Sequence, residues 1–152
     1  MIEIVRTNAH HPDFIELVKD LDADLATRDG AAHAFYAAYN MIDEIKYVVL
    51  AYENQRPTGC GALRQYGSKT MEIKRMYVVP QKRRTGIASR ILLELEHWAA
   101  ELSCIKCILE TGKMQPEALQ LYRRKGYVLI PNYGQYAGVE NSLCFEKEIQ
   151  NR

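Results

Sequence analysis

The chain has 152 residues, a formal net charge of +1 and 47% hydrophobic residues. These values fit one domain with a substantial core, so we expect residues 1–152 to form a single domain. The near-balanced charge argues against nucleic acid or a membrane as a partner, and no apolar stretch reaches the roughly 20 residues of a membrane span. The N-terminal residues lack the profile of a signal peptide, so we expect a cytoplasmic protein.

The first half of the chain predicts a strand, two helices and a three-stranded meander. Ile2 to Val5 form a short apolar strand, and apolar residues at helical spacing from Phe14 to Leu25 predict a helix behind Pro12. The alanine-rich segment from Ala31 to Tyr39 predicts a second helix. The meander is predicted at residues 46–53, 60–66 and 71–79, with turns at residues 54–59 and 67–68.

The second half alternates helices with strands. An apolar stripe at helical spacing from Ile87 to Leu102 predicts a long helix that begins near Gly86. The later elements are a strand at residues 104–110, a helix at 116–125 closed by Gly126, and strands at 127–130 and 142–147. We therefore expect an α/β protein of the α+β type, with a mixed, mostly antiparallel sheet of six to seven strands flanked by about four helices.

The four cysteines raise the question of a metal site. Cys104 and Cys107 have the spacing of a zinc knuckle. Both lie in the predicted strand at residues 104–110, whose geometry would point their side chains to opposite faces. We therefore expect no metal and reduced, buried thiols.

The loop between Val79 and Gly86 suits an anion. A helix N-terminus offers unpaired amide groups and the positive end of the helix dipole. Arg83 and Arg84 add positive charge, Gly86 permits close backbone approach, and Ala88 leaves the first helical turn uncluttered. An exposed basic turn is the alternative interpretation. The sequence contains neither the phosphate-loop motif ending in Gly-Lys-Ser/Thr nor the GxGxxG dinucleotide motif.

Arg83, Gly86 and Ala88 match the pattern Gln/Arg-x-x-Gly-x-Gly/Ala. That pattern opens the central helix of the GNAT superfamily of acyl-CoA-dependent N-acyltransferases, which this chain resembles. Residues 72–80 and 118–127 also resemble the family's preceding strand and its later helix and strand, and the resemblance covers about residues 48–147. Arg84 stands where many members have glycine. The resemblance implies a GNAT-like fold in which two central strands splay apart.

The same resemblance implies acetyl-CoA as the cosubstrate. Pantetheine would pair with the strand before the loop, and the pyrophosphate would lie on the loop and the helix start. Gln115 stands where many members have an asparagine that contacts pantetheine, so its role is left open. The cofactor-binding residues implied are Met76, Tyr77, Val78, Arg83, Arg84, Thr85, Gly86, Ile87, Ala88 and Ser89.

Glu72 is the predicted general base. An alkylammonium acceptor has a pKa near 10.4, so it must lose a proton before it can attack. Glu72 matches in position a glutamate that serves this role in some relatives, and alternation would place it on one strand face with Met76 and Val78 unless a bulge intervenes. The alternative is an exposed carboxylate paired with Lys74 or Arg64.

Tyr122 is the predicted acid. It matches the tyrosine that protonates the departing thiolate in many family members, although a tyrosine beside Leu121 on a helix could equally be a core residue. Glu110 or an ordered water is the alternative base. Direct transfer in a ternary complex follows from the resemblance.

The acceptor is expected to be a small-molecule amine, bound by the variable first helices and the last strands. The alternatives are acetylation of peptides, a non-catalytic acyl-CoA-binding module and, less favoured, a nucleic-acid-binding patch at residues 82–84 and 123–125. A homodimer is compatible with the sequence. The candidate acceptor residues are Arg28, His33, Tyr36, Tyr39, Tyr133, Tyr136, Asn141 and Ser142.

Overall fold

The computed structural model describes residues 1–29 and 45–149. Within these ranges the chain forms seven strands and three α-helices. The predicted fold class is confirmed, although the described residues hold three helices and not about four; the helix predicted at residues 31–39 lies outside them. In chain order the elements are β1 (Ile2–Thr7), α1 (Pro12–Asp29), β2 (Tyr47–Glu53), β3 (Arg56–Gly67), β4 (Thr70–Val78), α2 (Ile87–Glu101), β5 (Lys106–Gly112), α3 (Pro116–Arg124), β6 (Val128–Ile130) and β7 (Ser142–Glu148).

All seven strands belong to one mixed sheet with the order β1-β2-β3-β4-β5-β7-β6. The pair β4 and β5 is parallel, whereas the other neighbouring strands of the described sheet are antiparallel. β4 and β5 are paired only from Thr70 to Glu72 on β4, opposite Lys106 to Ile108 on β5. Beyond that point the two strands separate, which confirms the splayed central pair.

The hairpin between β2 and β3 is tighter than the sequence predicted. Its turn consists of Asn54 and Gln55, whose φ angles of 52° and 67° give the positive values that a two-residue hairpin turn requires. β3 therefore begins at Arg56, and the predicted turn through residue 59 is wrong. Pro57 is tolerated in the strand because β4 reaches only as far as Gly59 of β3, so β3 has one neighbour at Pro57.

Helices pack on both faces of the sheet. The apolar stripe of α2 packs on one face together with Leu121 and Tyr122 of α3, and α1 packs on the other face. α2 lies close to β3 at Gly61, where a β-carbon would come within 2.8 Å of Ile91 and Leu95. Among the described residues, no helix combines the length and hydropathy needed to cross a bilayer.

The four cysteines are free thiols in the core. Cys104 precedes β5, because the chain turns at Ser103 with a φ of 68° before the strand begins. Cys104 and Cys107 consequently lie in the same apolar cluster, and the prediction that they occupy opposite strand faces is wrong. Within residues 1–29 and 45–149, no group of three or more His, Cys, Asp or Glu side chains could hold a metal ion.

Candidate active site

The separation of β4 from β5 opens a cleft of about 790 Å³. Its walls come from α1, β4, the loop before α2, the first turn of α2, β5 and α3. Glu110 and Gln115, which the sequence left open, also line it. Among the predicted catalytic and cofactor-binding residues, Thr85 alone does not. Those that line the cleft are Glu72, Met76, Tyr77, Val78, Arg83, Arg84, Gly86, Ile87, Ala88, Ser89 and Tyr122.

A β-bulge in β4 changes which side chains share a face. Arg75 has a φ of 59°, and the register with β3 shifts between Lys74 and Tyr77. Because the bulge inserts one extra residue, Glu72 and Lys74 share a face with Tyr77, toward α1. Met76 and Val78 point toward α2, so the prediction that they share a face with Glu72 is wrong.

The loop before α2 presents backbone amides to the cleft. It leaves β4 through a short 3₁₀ turn at Pro80–Lys82, and Gly86 caps α2 with a φ of 88°. The amide groups from Gly86 to Ser89 donate no hydrogen bond to any residue within the described ranges. A β-carbon at Gly86 would meet open space, so its positive φ explains this glycine. Arg84 also has a positive φ, of 66°. Glycine adopts this conformation easily, which fits the glycine of the family pattern at this position.

The Arg83 side chain holds this loop against β4. Its Nε donates to the carbonyl oxygen of Val78 at 2.8 Å, and its guanidinium lies 5.4 Å from the ring centre of Tyr77. Its Nη2 is also 3.9 Å from a carboxylate oxygen of Asp24 in α1. The Thr85 hydroxyl donates to the carbonyl of Lys82 at 2.6 Å. Both side chains therefore stabilise the shape of the loop.

Tyr122 lies on α3, buried at the wall of the cleft. Its ring packs edge-on against Tyr127, with the ring centres 5.8 Å apart. Burial raises the pKa of Tyr122 above its ordinary value near 10, and the negative charge of Glu110 adds to the effect. The hydroxyl therefore keeps its proton at neutral pH.

Glu72 belongs to a buried polar cluster at the point where β4 and β5 separate. It is 1% exposed, so the alternative of an exposed carboxylate is wrong, although the suggested partner Arg64 does lie 3.3 Å away. The hydroxyl of Tyr133 donates to Glu72 Oε2 at 2.6 Å. Lys74 lies on the same face, where its Nζ donates to the hydroxyl of Tyr136 at 3.3 Å. Burial lowers the pKa of Lys74, and the charges of Glu72 and Glu110 oppose this effect.

Half of the predicted acceptor residues cannot be placed. The side chain of Arg28, together with His33, Tyr36 and Tyr39, lies outside the described residues. Tyr136 lines the cleft, and Tyr133 contacts Glu72.

Asn141 and Ser142 do not line the cleft, and both anchor the segment before β7. The carbonyl of Asn141 accepts from the amide of Lys113 at 2.9 Å, and that of Ser142 accepts from Asn132 Nδ2 at 3.0 Å.

Lys74 and Arg124 are among the cleft residues that the sequence did not predict as part of the site. The position of Lys74, two residues from Glu72 on the same strand, was a signal that both side chains share a face. Arg124 lines the cleft from the last turn of α3, and its basic neighbours in the sequence gave no signal of this.

Residues 11–127 match the sequence model of the acetyltransferase (GNAT) family. The chain belongs to this family. It is 28% identical to the IAA acetyltransferase of Azospirillum brasilense, an alignment that covers 97% of this chain and 98% of that protein.

Solved structures share the fold of this GNAT chain. A protein from Klebsiella pneumoniae, whose proposed activity is that of an acyl-CoA N-acyltransferase, superposes with a TM-score of 0.83 at 28% identity, over 99% of both chains. A GNAT acetyltransferase from Elizabethkingia anophelis with acetyl-CoA bound gives a TM-score of 0.70 at 20% identity, over 97% of this chain and 98% of that one.

Proposed function

We propose that this protein transfers an acetyl group from acetyl-CoA to the primary amine of a small molecule, by direct attack in a ternary complex. One observation carries the proposal: a single cleft joins the amide-rich loop before α2 to both Tyr122 and Glu72. An anion site at one end and an acid and a base near the other is the arrangement that acyl transfer from a phosphorylated thioester requires.

The pyrophosphate of coenzyme A would lie on the amides from Gly86 to Ser89, which are free to donate within the described residues. The basic side chains of Lys82, Arg84 and Arg124 line the cleft and add attraction for its phosphates. The pantetheine arm would pair with the edge of β4 from Met76 to Val78, which faces away from β3 and is not paired with β5. Acetyl-CoA bound to the Elizabethkingia protein of the same fold supports this choice of cosubstrate.

The reaction would proceed in one transfer step. Glu72, directly or through water, accepts a proton from the acceptor ammonium, and the free amine forms a C–N bond to the thioester carbonyl carbon. Amide groups of β4 would stabilise the resulting oxyanion. The C–S bond then breaks, and Tyr122 donates its proton to the departing sulfur. The nitrogen loses its second proton, which returns through solvent to Tyr122, and Glu72 releases its own proton to solvent, giving coenzyme A and the N-acetylated amine.

Two features support direct transfer to a small acceptor. None of the four cysteines lines the cleft, so no described thiol is positioned to form an acyl-enzyme. The segment at residues 131–141, which we call the aromatic loop, brings Tyr133 to Glu72 and Tyr136 to Lys74. Tyr136 of this loop lines the cleft, and aromatic rings beside Glu72 favour a small amine over the surface of a folded protein.

A screen of thiol release from acetyl-CoA tests the proposal. A panel of small amines and amino acids is compared with peptides, using the wild type and the variants Tyr122→Phe, Glu72→Gln and Glu110→Gln. We expect turnover with a small amine that falls strongly in the first two variants. Turnover with peptides alone would contradict the small acceptor. Coenzyme A binding without turnover would indicate a non-catalytic module. Loss of turnover in Glu110→Gln but not in Glu72→Gln would identify Glu110 of β5 as the base.

A further inference from the structure

The aromatic loop presents one hydroxyl group to Glu72 from a rigid frame. Asn132 Nδ2 donates to the carbonyl oxygens of Val139 and Ser142, both at 3.0 Å, which closes the loop on itself. A 3₁₀ turn at Gly134–Tyr136 follows Tyr133 directly. The loop backbone therefore helps to hold the Tyr133 side chain beside Glu72.

The Tyr133 ring is also fixed by its aromatic neighbours. Its centre lies 5.1 Å from that of Tyr66 and 5.7 Å from that of Tyr136, and both contacts are edge-to-face. A phenylalanine would keep both contacts. The hydroxyl has a separate task, because Glu72 is its hydrogen-bond partner in the described structure.

Glu72 is buried with a hydrogen-bond donor at each carboxylate oxygen. Arg64 of β3 donates to Oε1 at 3.3 Å, and Tyr133 donates to Oε2 at 2.6 Å. Lys74 of the same strand and Glu110 of β5 line the same cleft as Glu72. The other titratable groups that face this cluster are the Tyr136 hydroxyl from the aromatic loop and the Cys144 thiol from β7.

We propose that Tyr133 is a positioning residue, which fixes the direction of the Glu72 carboxylate at the acceptor end of the cleft. The inference rests on the proposed role of Glu72 as the base. A buried carboxylate needs donors in place of the solvent it has lost, and a base must point toward the proton that it accepts. Tyr133 can serve as a lasting donor, since burial raises the pKa of its hydroxyl and the charge of Glu72 raises it further.

The test compares Tyr133→Phe with Tyr66→Phe. The second variant removes a hydroxyl from the adjacent ring, which is 44% exposed, and leaves the Glu72 hydrogen bond in place. Carboxyl ¹³C NMR of Glu72 needs no acceptor. We expect the Glu72 carboxyl resonance at neutral pH to move in Tyr133→Phe and to keep its wild-type position in Tyr66→Phe, since only the first variant removes a hydrogen bond from this carboxyl group. The midpoint of thermal unfolding should stay close to that of the wild type, because the ring contacts are kept.

Activity separates this inference from the role of Glu72. The pH profile of thiol release from acetyl-CoA is recorded with the best amine of the screen. Support is a lower kcat and a displaced acid limb in Tyr133→Phe, with Tyr66→Phe like the wild type in both. An unchanged Glu72 resonance in Tyr133→Phe overturns the role of Tyr133 while the base assignment stands. A moved Glu72 resonance with an unchanged kcat and pH profile overturns the base assignment and, with it, the positioning role of Tyr133.

Discussion

Arg83 Nε donates to the carbonyl oxygen of Val78 at 2.8 Å, so this arginine connects the loop before α2 to the strand that precedes it. The same guanidinium lies over the Tyr77 ring. The side chain thus fixes the position of the loop relative to β4. Its contribution to cofactor binding is therefore expected to come largely through the loop geometry.

Replacing Arg83 by lysine should weaken coenzyme A binding. Lysine keeps the positive charge but lacks the planar guanidinium that both donates to Val78 and stacks on Tyr77. Loss of one charge-assisted hydrogen bond corresponds to about a tenfold higher Kd. Isothermal titration calorimetry with coenzyme A measures this Kd. Arg56→Lys is the control, because Arg56 is exposed and lies outside the cleft. Equal affinity for Arg83→Lys and the wild type would show that charge alone is sufficient.

Tyr122→Phe should lower kcat about 10²- to 10⁴-fold, the usual range for loss of a general acid, with little change in the Kd for acetyl-CoA. The reason is that the phenylalanine keeps the ring contact with Tyr127 and removes only the proton donor. Tyr47→Phe is the control, because Tyr47 packs on Trp98 away from the cleft. A decrease similar to that of the control would exclude Tyr122 as the acid.

The raised pKa of Tyr122 has a consequence for the pH dependence of turnover. Because the folded-state pKa lies above the ordinary value near 10, the hydroxyl remains protonated throughout the neutral and mildly alkaline range. We expect thiol release with a fixed amine to show no loss of activity from Tyr122 ionisation below about pH 10. A basic limb below this pH that disappears in Tyr122→Phe would contradict the assigned protonation state.

Gly61→Ala should destabilise the fold by about 1–3 kcal/mol. The added β-carbon would lie 2.7 Å from Met76 Sδ and 2.8 Å from side-chain atoms of Ile91 and Leu95, so these buried side chains must repack. Gly67→Ala is a matched control on the same strand, because its nearest atom is 4.0 Å away. Urea unfolding of both variants measures the difference, and equal stabilities would show that α2 accommodates the methyl group.

Alkaline pH should destabilise the protein through its buried thiols. Burial raises the pKa of Cys60 to about 12, above the value near 8.5 expected in the unfolded chain. Stability from this group is therefore complete below about pH 8.5 and is lost progressively as the pH rises toward 12.

Between about pH 9.5 and 11, Cys60→Ala should reduce the fall in unfolding free energy by about 1.4 kcal/mol per pH unit. Val48→Ala, a truncation in the same core cluster, should lower stability without changing this slope. Urea unfolding across this pH range measures both. The same slope for Cys60→Ala and the wild type would mean that Cys60 ionises in the folded state.

The sequence predicted most features that depend on local interactions. The apolar stripe of α2, its start at Gly86 and the closure of α3 by Gly126 follow from side-chain spacing and from positive φ, which glycine adopts at both positions. The splayed pair could be anticipated only from the family resemblance, because separation of β4 from β5 is a property of the whole sheet.

Features set by contacts between distant segments could not be predicted in this way. The bulge at Arg75 depends on the register between β3 and β4, and it moves Glu72 to the face opposite Met76. Tyr133 reaches Glu72 across 61 positions of sequence, so the sequence offered it only as an acceptor-site candidate. The side chain of Arg83 could equally have faced a ligand, and only the folded loop shows that it contacts Val78.

The structure of the acetyl-CoA complex is the measurement that tests the proposed function most directly. We expect the pyrophosphate on the amides from Gly86 to Ser89, the pantetheine along β4, and the thioester sulfur within hydrogen-bond distance of the Tyr122 hydroxyl. Acetyl-CoA bound outside the cleft between β4 and β5, or bound there with its sulfur distant from Tyr122, would contradict this mechanism.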